Sequence, residues 1–320
     1  MRIFILAAAM VTLGVATASA QNYPNRPVRL VVTFPAGGAI DVLSRILADR
    51  LSTQLGERVV VDNRAGMGGT LGADVTAKAA PDGYTLVTAS AASHAINKAL
   101  FRNIPYDPER DFTPVSMIAT LPTVLVVHPS LPARTVADFI AEAKRRPGGI
   151  NYASIGNGSS QHLAGAYFEL KAGVQLQHVP YKTAPSIATD LAANEVQGGF
   201  LFISNIIAFI QGGQVRPLAV TSRARMPALP TVPTMIEAGL PDYEYSNWFG
   251  VMGPAGLPRD IVERLHREIV TACREPDLQR RFTELGAIVV GDDPQTFGRF
   301  VHAEIPKWAE IVKASGAQID

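Results

Sequence analysis

The sequence has one cysteine, no surplus of either charge, and no long apolar run after its first twenty residues. Cys273 has no partner for a disulfide, so the fold must be stabilised by its apolar core. Lysine and arginine number 29 against 28 aspartates and glutamates. A nucleic-acid-binding protein normally shows a basic surplus, so this balance argues against that class. It also provides no general attraction to an anionic membrane.

The sequence also lacks the motifs of common cofactor, metal and nucleophile sites. In the stretch NRAGMGGTLGAD, Leu71 stands where a dinucleotide-binding fingerprint needs its third glycine, and no P-loop occurs. No pair of histidines has the spacing of metal ligands, and one cysteine cannot supply a zinc cluster. Ser159 lies in GSS, which is not the G-x-S-x-G of a nucleophile elbow. We therefore expect no cofactor, no metal and no enzymatic activity.

The first twenty residues are typical of a secretory signal peptide. Arg2 precedes an apolar run, and Ala18-Ser19-Ala20 matches an A-x-A cleavage site. The pattern predicts a signal peptide over residues 1–20, cleavage after Ala20, and a mature chain that starts at Gln21. Such a protein would be periplasmic in a cell that has a periplasm.

The stretch FPAGGAID, residues 34–41, joins an apolar strand pattern (VRLVVT) to a helical pattern. Gly37 and Gly38 have no side chain, so the backbone can turn sharply there and a ligand can approach it closely. The helix that follows would direct free N–H groups at this space, which makes it a potential anion site. The alternative is an ordinary tight turn in which Asp41 caps the helix.

The stretch SIGNGSSQHL, residues 154–163, repeats the same pattern further along the chain. Gly156, Asn157 and Gly158 form the predicted turn, and Ser159 and Ser160 stand where a helix begins. Two helix N-termini facing one cleft would present a pocket of N–H and hydroxyl donors. The loop after the third predicted strand adds possible donors at the cleft edge, namely Ser90, Ser93 and His94, although His94 fits a packing role equally well.

Strand and helix patterns alternate along the chain, which favours α/β blocks with parallel sheets. The first block has strands at 28–33, 58–63 and 84–90 and a helix at 70–80. After an irregular stretch at 101–115, a second block has helices at 135–149 and after the 154–163 junction. Two further helical patterns, 258–276 and 294–315, are expected to pack on the first block.

Two crossing segments, at 116–129 and 246–258, predict two lobes joined by a double hinge. Residues 21–123 and 248–320 would form lobe 1, and residues 124–247 would form lobe 2. Ligands of parallel α/β sheets bind at the carboxyl ends of the strands, and in a two-lobe molecule both sets of ends can face one cleft.

With these residues in view, the chain resembles the substrate-binding receptors of tripartite tricarboxylate transporters, the Bug family. The resemblance covers nearly the whole mature chain. It depends on several stretches together, namely YPNRPVRLVVTFPAGGAIDVLSR, VVVDNRAGMGGTLGADVTAKAAPDGYTL, HAINKALFRNIPYDPERDFTPVSMIA, YASIGNGSSQHLAGAYFE, HVPYK and RPLAVTSRARMPALPTVPTMIEAGLPDYE.

The resemblance implies an α/β periplasmic-binding-protein fold of the two-lobe, Venus-flytrap, type II-like kind, with two crossing hinge strands. It implies a monomeric receptor that binds a small carboxylate and delivers it to membrane permease subunits. The implied ligand-binding residues in lobe 1 are Phe34, Gly37, Gly38, Ala39, Asp41, Ser90, Ser93 and His94. In lobe 2 they are Asn157, Gly158, Ser159, Ser160 and Tyr181.

Two other functions remain open from the sequence, a sensor lobe for the same ligand class and an α/β hydrolase that uses a serine such as Ser159. The identity of the ligand is also open. Thr183 stands where the family often has glycine, and Gln197 where it commonly has an acidic residue. Both positions are expected near the far end of a ligand. Arg45 and Arg64 are the cations near the first junction, and both are expected to be surface charges.

Overall fold

The computed structural model of the protein describes residues 23–317. The predicted signal peptide and its cleavage site lie outside these residues. Within them, no helix is both long enough and apolar enough to cross a membrane.

In the part of the chain that the structure describes, ten strands form one sheet. Its first part contains β1 (Val28–Val32), β2 (Val59–Asn63), β3 (Thr85–Ser90), β4 (Phe112–Val127), β9 (Ser246–Pro254) and β10 (Ile288–Val289). Its second part adds β5 (Asn151–Ser154), β6 (Gln177–Pro180), β7 (Gly198–Phe202) and β8 (Arg216–Val220). The order is β2-β1-β3-β9-β4-β7-β5-β6, with β8 and β10 paired to β4.

Each part has a parallel unit whose strand ends carry one of the predicted junctions. In the first part β1 lies between β2 and β3 and is parallel to both. In the second part β5 lies between β6 and β7 and is parallel to both. The loops that follow β1 and β5 therefore leave the carboxyl ends of parallel strands, as the sequence predicts.

The long strand β4 connects the two parts. It is antiparallel to β9 as far as the pair Pro122↔Ser246. From Thr123 onward it pairs with β7, and from Val124 with β8. The change of partner falls next to the lobe boundary that the sequence predicts at residues 123 and 124. The chain returns at residues 245–247, where β9 begins.

Ten α-helices cover the strands in the described chain. They are α1 (Ala39–Leu55), α2 (Thr70–Ala77), α3 (Asn97–Leu100), α4 (Val136–Arg145), α5 (Ser160–Ala172), α6 (Ala184–Ala192), α7 (Ile203–Gln211), α8 (Arg259–Arg274), α9 (Pro276–Glu284) and α10 (Pro294–Ser315). The apolar face predicted for α1 is buried, with Leu43 and Leu47 completely inaccessible. Each such leucine contributes about 1.5–3 kcal/mol of burial free energy. Gly56, with φ of 76°, ends the helix in the left-handed conformation.

Three elements differ from the sequence-based expectations. Helix α7 was not predicted, because its mostly apolar segment ISNIIAFIQ continues directly from β7. Strand β4 begins at Phe112, inside the stretch expected to be irregular. A separate helix, α9, and the short strand β10 lie between the two predicted C-terminal helices.

The last helix, α10, packs on the first block, as the sequence predicts, and also on the second block. In the structure α10 lies against β4 and also against α5 of the second block. Trp308 on α10 packs edge-on against Tyr245, with ring centroids 5.1 Å apart, and both rings are fully buried. The C-terminal helix therefore contacts both predicted lobes at the place where the chain crosses between them.

Candidate functional site

The first glycine loop, residues 34–38, leaves the carboxyl end of β1 and leads into α1. Gly37 has a φ of 86°, a conformation that favours glycine, and a Cβ there would meet nothing within 4 Å. Gly38 has an extended backbone (φ −76°, ψ 164°) and is the N-cap of α1. The positive φ is thus confined to Gly37, whereas Gly38 leaves open space in front of the helix.

Asp41 is buried at the start of α1 and fixes the first glycine loop. Its carboxylate accepts hydrogen bonds from the Gly37 amide at 2.8 Å and from Asn63 Nδ2 at 2.9 Å. Arg45 also binds it, with Nε 3.1 Å from Oδ2. Burial alone would raise the pKa of Asp41, but the hydrogen bonds from Arg45, Gly37 and Asn63 outweigh burial and lower it. The carboxylate therefore holds the loop, and its oxygens are occupied within lobe 1.

The remaining residues around this loop are also anchored. Asn63 donates a second hydrogen bond to the Phe34 carbonyl oxygen at 3.0 Å, which ties the loop to the end of β2. Arg64 pairs with Asp62 at 3.0 Å, as the sequence suggests. Among residues 23–317, no side chain caps the N-terminus of α1. The exposed residue Ala39 therefore opens a helix whose first N–H groups lack a side-chain acceptor.

Ser90, Ser93 and His94 form a buried hydrogen-bonded chain after β3. The two serine hydroxyls lie 3.0 Å apart, and Ser93 Oγ lies 2.9 Å from His94 Nδ1. Ser90 and Ser93 are 3% and 1% exposed, and His94 is completely buried. These residues lie beside β1, since β3 pairs with it, but their side chains are enclosed.

His94 is a packing residue in this structure. Its ring contacts Phe112 edge-on, with centroids 4.5 Å apart. Its Nε2 atom has no hydrogen-bond partner within residues 23–317. Burial lowers the pKa of His94 to about 3, so the ring is neutral at pH 7. The Ser93–His94 pair resembles a nucleophile and its base, but the structure gives it neither exposure nor an orienting carboxylate.

The second glycine loop, residues 155–159, leaves the carboxyl end of β5 and leads into α5. Gly156 and Gly158 have φ values of 119° and 73°, so both occupy conformations that favour glycine. Ile155 and Asn157 are exposed, and Ile155 presents 44% of its surface. The Gly158 N–H donates to His162 Nδ1 at 3.1 Å, so this amide is engaged within the lobe.

Ser159 and Ser160 have different partners at the start of α5. Ser159 is the N-cap, and its hydroxyl oxygen accepts from the His162 amide at 3.3 Å. Ser160 Oγ accepts a hydrogen bond from Asn247 Nδ2 at 2.7 Å. The Tyr245 hydroxyl donates to the Ser160 carbonyl oxygen at 2.6 Å. A serine hydroxyl that accepts from an amide keeps its own proton for another acceptor, such as a ligand oxygen.

The other lobe 2 candidates are distributed around β6 and β7. The Tyr181 hydroxyl donates to Asp190 at 2.9 Å, and the ring is half-buried. Burial first, and then the bond to Asp190, raises the pKa of Tyr181 to about 12. Thr183 is the N-cap of α6 and lies on the same sheet edge as Tyr181. Gln197 precedes β7, and its Oε1 accepts from the Asn151 amide at the amino end of β5, while its Nε2 donates to the Asn194 carbonyl oxygen in the turn after α6. It therefore lies at the opposite edge of the sheet from the two glycine loops, which differs from the expectation.

Strand β9 links the two groups of candidate residues. Its residue Phe249 is paired with Ser90 at the end of β3, and its residue Asn247 holds Ser160. The two strand positions are about 7 Å apart along the strand. The end of β3 and the start of α5 therefore converge on one short stretch of β9. Asn247 and Tyr245 were not predicted as functional residues. Neither residue belongs to a motif. One indication of their role is present in the sequence, since Asn247 lies in the predicted crossing segment 246–258 and Tyr245 immediately precedes it.

The two glycine loops and the helix starts that follow them offer neutral hydrogen-bond donors. Neither glycine loop contains lysine or arginine. The available donors are the uncapped N–H groups of α1 and the Ser160 hydroxyl, which suit an anion. Within residues 23–317, no group of three or more histidine, cysteine, aspartate or glutamate side chains is placed to hold a metal ion.

Comparison with known proteins gives relatives over almost the entire chain. Residues 43–317 match the sequence model of the tripartite tricarboxylate transporter family receptor. Protein BugT of Bordetella pertussis is 39% identical over 310 residues, which are 96% of this chain and 95% of BugT. The family expected from the sequence is thereby confirmed.

Solved structures of relatives have the same fold. The structure described as R. palustris Rpa4515 with adipate is 38% identical, with a TM-score of 0.76, and the match covers 93% of this chain and 100% of that one. MatC (Rpa3494) from Rhodopseudomonas palustris with bound malate is 30% identical, with a TM-score of 0.73, and the match covers 91% and 100%. The predicted α/β periplasmic-binding-protein architecture is thus confirmed, and the chain belongs to the tripartite tricarboxylate transporter family of receptors.

Proposed function

We propose that this protein is an exported receptor that closes two lobes on a small carboxylate and delivers it to the permease subunits of a tripartite tricarboxylate-type transporter. The observation that carries the proposal is the pair of strand–glycine–helix junctions. The end of β3, which lies beside the first junction, and the start of α5, which follows the second, both contact β9. One junction offers an uncapped helix N-terminus, and the other offers a hydroxyl whose proton is free.

The proposed lobes are residues 21–123 with 248–320, and residues 124–247. The change of partner along β4 supports this division, because its pairing with β9 ends at Pro122 and its pairing with β7 starts at Thr123. Hinge motion about the two crossings would bring the first and second glycine loops together. The proposed ligand contacts are the backbone of Gly37, Gly38 and Ala39, the Ser160 hydroxyl, and the α5 N-terminus.

A carboxylate is the ligand class that best matches these donors. A helix N-terminus contributes about 0.3–1 kcal/mol to an exposed anion and more to a partly buried one. Micromolar affinity requires about −8 kcal/mol, so several donors must act together in a closed cleft. The relatives with adipate and with malate bind ligands of this class.

We propose a binding protein and no enzyme. The hydroxyl of Ser159 accepts from a backbone amide, and the imidazole of His162 accepts from Gly158, so these two side chains do not form a nucleophile–base pair. The Ser93–His94 pair is enclosed in the core. The proposed protein is a periplasmic monomer that requires neither metal nor cofactor.

Thermal denaturation with adipate and malate tests the proposal, with the uncharged dimethyl esters as controls. At a ligand concentration about one hundred times the dissociation constant, binding adds about 2.7 kcal/mol to stability. The melting temperature should rise by several degrees with a matching diacid and stay unchanged with its ester. Turnover of an ester, with no stabilisation by any carboxylate in a wider panel, would support the hydrolase instead.

Native mass spectrometry of freshly purified protein complements this experiment, because a bound acid would be seen as a discrete added mass. N-terminal sequencing of the protein from its native host should find Gln21 first. Deleting the gene should abolish uptake of the acid that binds. If the protein were only a sensor, cells that already contain the permease would take up the acid at the same initial rate with and without it.

A further inference from the structure

Two histidines stack against each other beside the second glycine loop. The rings of His162, on α5, and His178, on β6, are nearly parallel, with an interplanar angle of 14° and centroids 3.9 Å apart. His162 is 5% exposed, and His178 is half-buried. Each ring is connected by hydrogen bonds to one of the two positive-φ glycines of the loop.

His162 holds Gly158 through a bond that requires a neutral ring. The Gly158 N–H points at His162 Nδ1 at 3.1 Å, so Nδ1 must be an acceptor. In a neutral imidazole the proton must then reside on Nε2. The Tyr152 hydroxyl lies 3.3 Å from the His162 carbonyl oxygen, which adds a link from β5 to the same residue.

His178 holds Gly156 indirectly, through Ser154. His178 Nε2 lies 2.6 Å from Ser154 Oγ. That hydroxyl is also 3.0 Å from the Gly156 amide nitrogen and 3.1 Å from the Gly156 carbonyl oxygen. A hydroxyl has one donor and two acceptor positions, so all three contacts are satisfied if His178 carries its proton on Nε2 and donates it to Ser154.

The surroundings keep both rings neutral at pH 7. Burial lowers the pKa of His162 to about 4, and the neighbouring His178 contributes to the same shift. Burial also lowers the pKa of His178. The other titratable groups here are Tyr152 on β5 and Glu169 on α5. Burial raises the pKa of Glu169, and its carboxylate accepts the Leu176 amide at 2.6 Å.

We propose that His162 and His178 are positioning residues that set the ligand-binding conformation of the second glycine loop through Gly158 and Gly156. The inference rests on the proposed function in assigning that loop to the ligand. Neither ring needs to touch the ligand. If Nδ1 of His162 carried a proton, it would be a donor facing the Gly158 N–H, which is also a donor. The hydrogen bond would be lost, and with it this anchor of the loop.

Two isosteric variants separate the hydrogen bond from ring packing. In His162→Asn the side-chain oxygen is as many bonds from Cα as Nδ1, so it can accept from Gly158 without titrating. His162→Leu has the same shape as the asparagine and no acceptor. Both variants lose the ring stack, so their ligand-free melting temperatures should fall together.

Calorimetric titration with adipate at pH 7.5 should distinguish the two variants. His162→Leu should weaken binding by about tenfold or more, because the loop amide loses its partner, whereas His162→Asn should stay within about threefold of the original protein. For His178 the corresponding pair is His178→Gln, which keeps a donor at the Nε2 position, and His178→Met. Equal weakening by asparagine and leucine at position 162 would overturn the proposal.

A second measurement needs no ligand and no variant. Long-range ¹H–¹⁵N NMR correlations of the histidine rings should show both rings as neutral Nε2–H tautomers at pH 7, with slow exchange of the Gly158 amide. A proton on His162 Nδ1 at pH 7 would contradict the proposal. If adipate and other carboxylates failed to bind while this tautomer was present, the proposed ligand class would be wrong and the loop anchoring would stand.

Discussion

In the first glycine loop the backbone is fixed by a charged side chain, the buried carboxylate of Asp41, with Arg45 as its counter-ion. In the second loop the backbone is fixed by neutral side chains, His162, His178 and Ser154. Both loops connect a parallel strand to a helix and contain positive-φ glycines. Similar junctions in the two lobes are thus held by different chemistry.

The two helix starts differ in a corresponding way. Within residues 23–317, helix α1 has no side-chain cap, because its N-cap residue is Gly38, and Asp41 accepts the amide of Gly37, which precedes the helix. Helix α5 is capped by Ser159 and connected to β9 through Ser160. We infer that lobe 1 binds an anion mainly with backbone N–H groups, and that lobe 2 adds a hydroxyl oriented from the hinge. Five predictions test this contrast, in order of decreasing expected effect.

Gly38→Val should abolish adipate binding, by about a hundredfold or more, because the side chain fills the approach to the α1 N-terminus. Gly38 has an extended backbone, and a Cβ there meets only the Pro35 carbonyl oxygen, at 3.6 Å. The ligand-free variant should therefore melt near the original protein. The contrasting variant is Gly37→Val, whose positive φ should cost about 1–2 kcal/mol of stability. If folded Gly38→Val still binds adipate tightly, the two glycines form only a tight turn and have no role in ligand binding.

Acid should destabilise the two loops in different pH ranges. The pKa of His162 is lowered to about 4. The contribution of its neutral ring to the unfolding free energy is therefore complete above its ordinary pKa of 6.5 and is lost as the pH falls toward 4. The pKa of Asp41 is lowered below 3.8, so its contribution persists through this range. His162→Asn should flatten the pH dependence of the unfolding free energy between pH 6.5 and 4, by at most about 1.4 kcal/mol per pH unit.

The comparison variant for this measurement is Asp41→Asn, which should leave the slope in the same pH range unchanged. Urea denaturation at half-unit pH steps measures both slopes. Equal slopes for the original protein and His162→Asn would mean that folding does not lower the pKa of His162, and would contradict a ring that is held neutral by the fold.

Asp41→Asn should lower the unfolding free energy at pH 7 by about 1–3 kcal/mol, because an amide group would face donors that the carboxylate now satisfies. The matched control is Asp49→Asn on the same helix, where Asp49 is exposed and the change should stay within about 0.5 kcal/mol. Urea denaturation of both variants provides the comparison. Identical curves would show that Asp41 does not fix the first loop.

Ser159→Ala should cost about 1 kcal/mol of stability, because Ser159 is the N-cap of α5. Thr135→Ala, which removes the N-cap of α4 in the same lobe, should cost a similar amount. Only Ser159→Ala should also weaken adipate binding, since it alters the second glycine loop. If both variants lose affinity for adipate, the weaker binding results from general destabilisation of lobe 2 and not from a change in the second glycine loop.

Asn247→Ala should weaken adipate binding by about threefold to tenfold, because the Ser160 hydroxyl would lose the donor that orients it. A matched control is Asn205→Ala on the exposed surface of α7, which should have no effect. If Asn247→Ala binds adipate with unchanged affinity, the hydroxyl of Ser160 is not oriented from the hinge.

The sequence predicted the elements that local patterns determine. Both strand–glycine–helix junctions are present, and the turn at Gly37 has the conformation that two adjacent glycines suggested. The helix starts and the apolar face of α1 follow from periodicity over a few residues. Helix α7 was missed because a short, mostly apolar segment that continues from a strand fits a buried strand as well as a helix.

The partners of the site residues could not be predicted, because they are distant in sequence. Asn247 reaches Ser160 across 87 positions, and Tyr243 reaches the Ala164 carbonyl across 79. Which side chains face the cleft also depends on tertiary packing. Ser90 ends β3 at the expected edge, and Ser93 and His94 follow it in a helical turn. The aromatic rings of Tyr106 and Phe112 nevertheless help to enclose His94.

The place where the carboxylate binds is tested most directly by a ¹H–¹⁵N NMR titration of the backbone amides with adipate, and with malate as the second ligand. We predict saturable downfield shifts of the Ala39 and Ile40 amides at the start of α1 and of the Ser160 and Gln161 amides at the start of α5. The Gly158 amide, already bonded to His162, should move little. Saturable shifts confined to other parts of the molecule would contradict the claim that the two glycine loops bind the carboxylate.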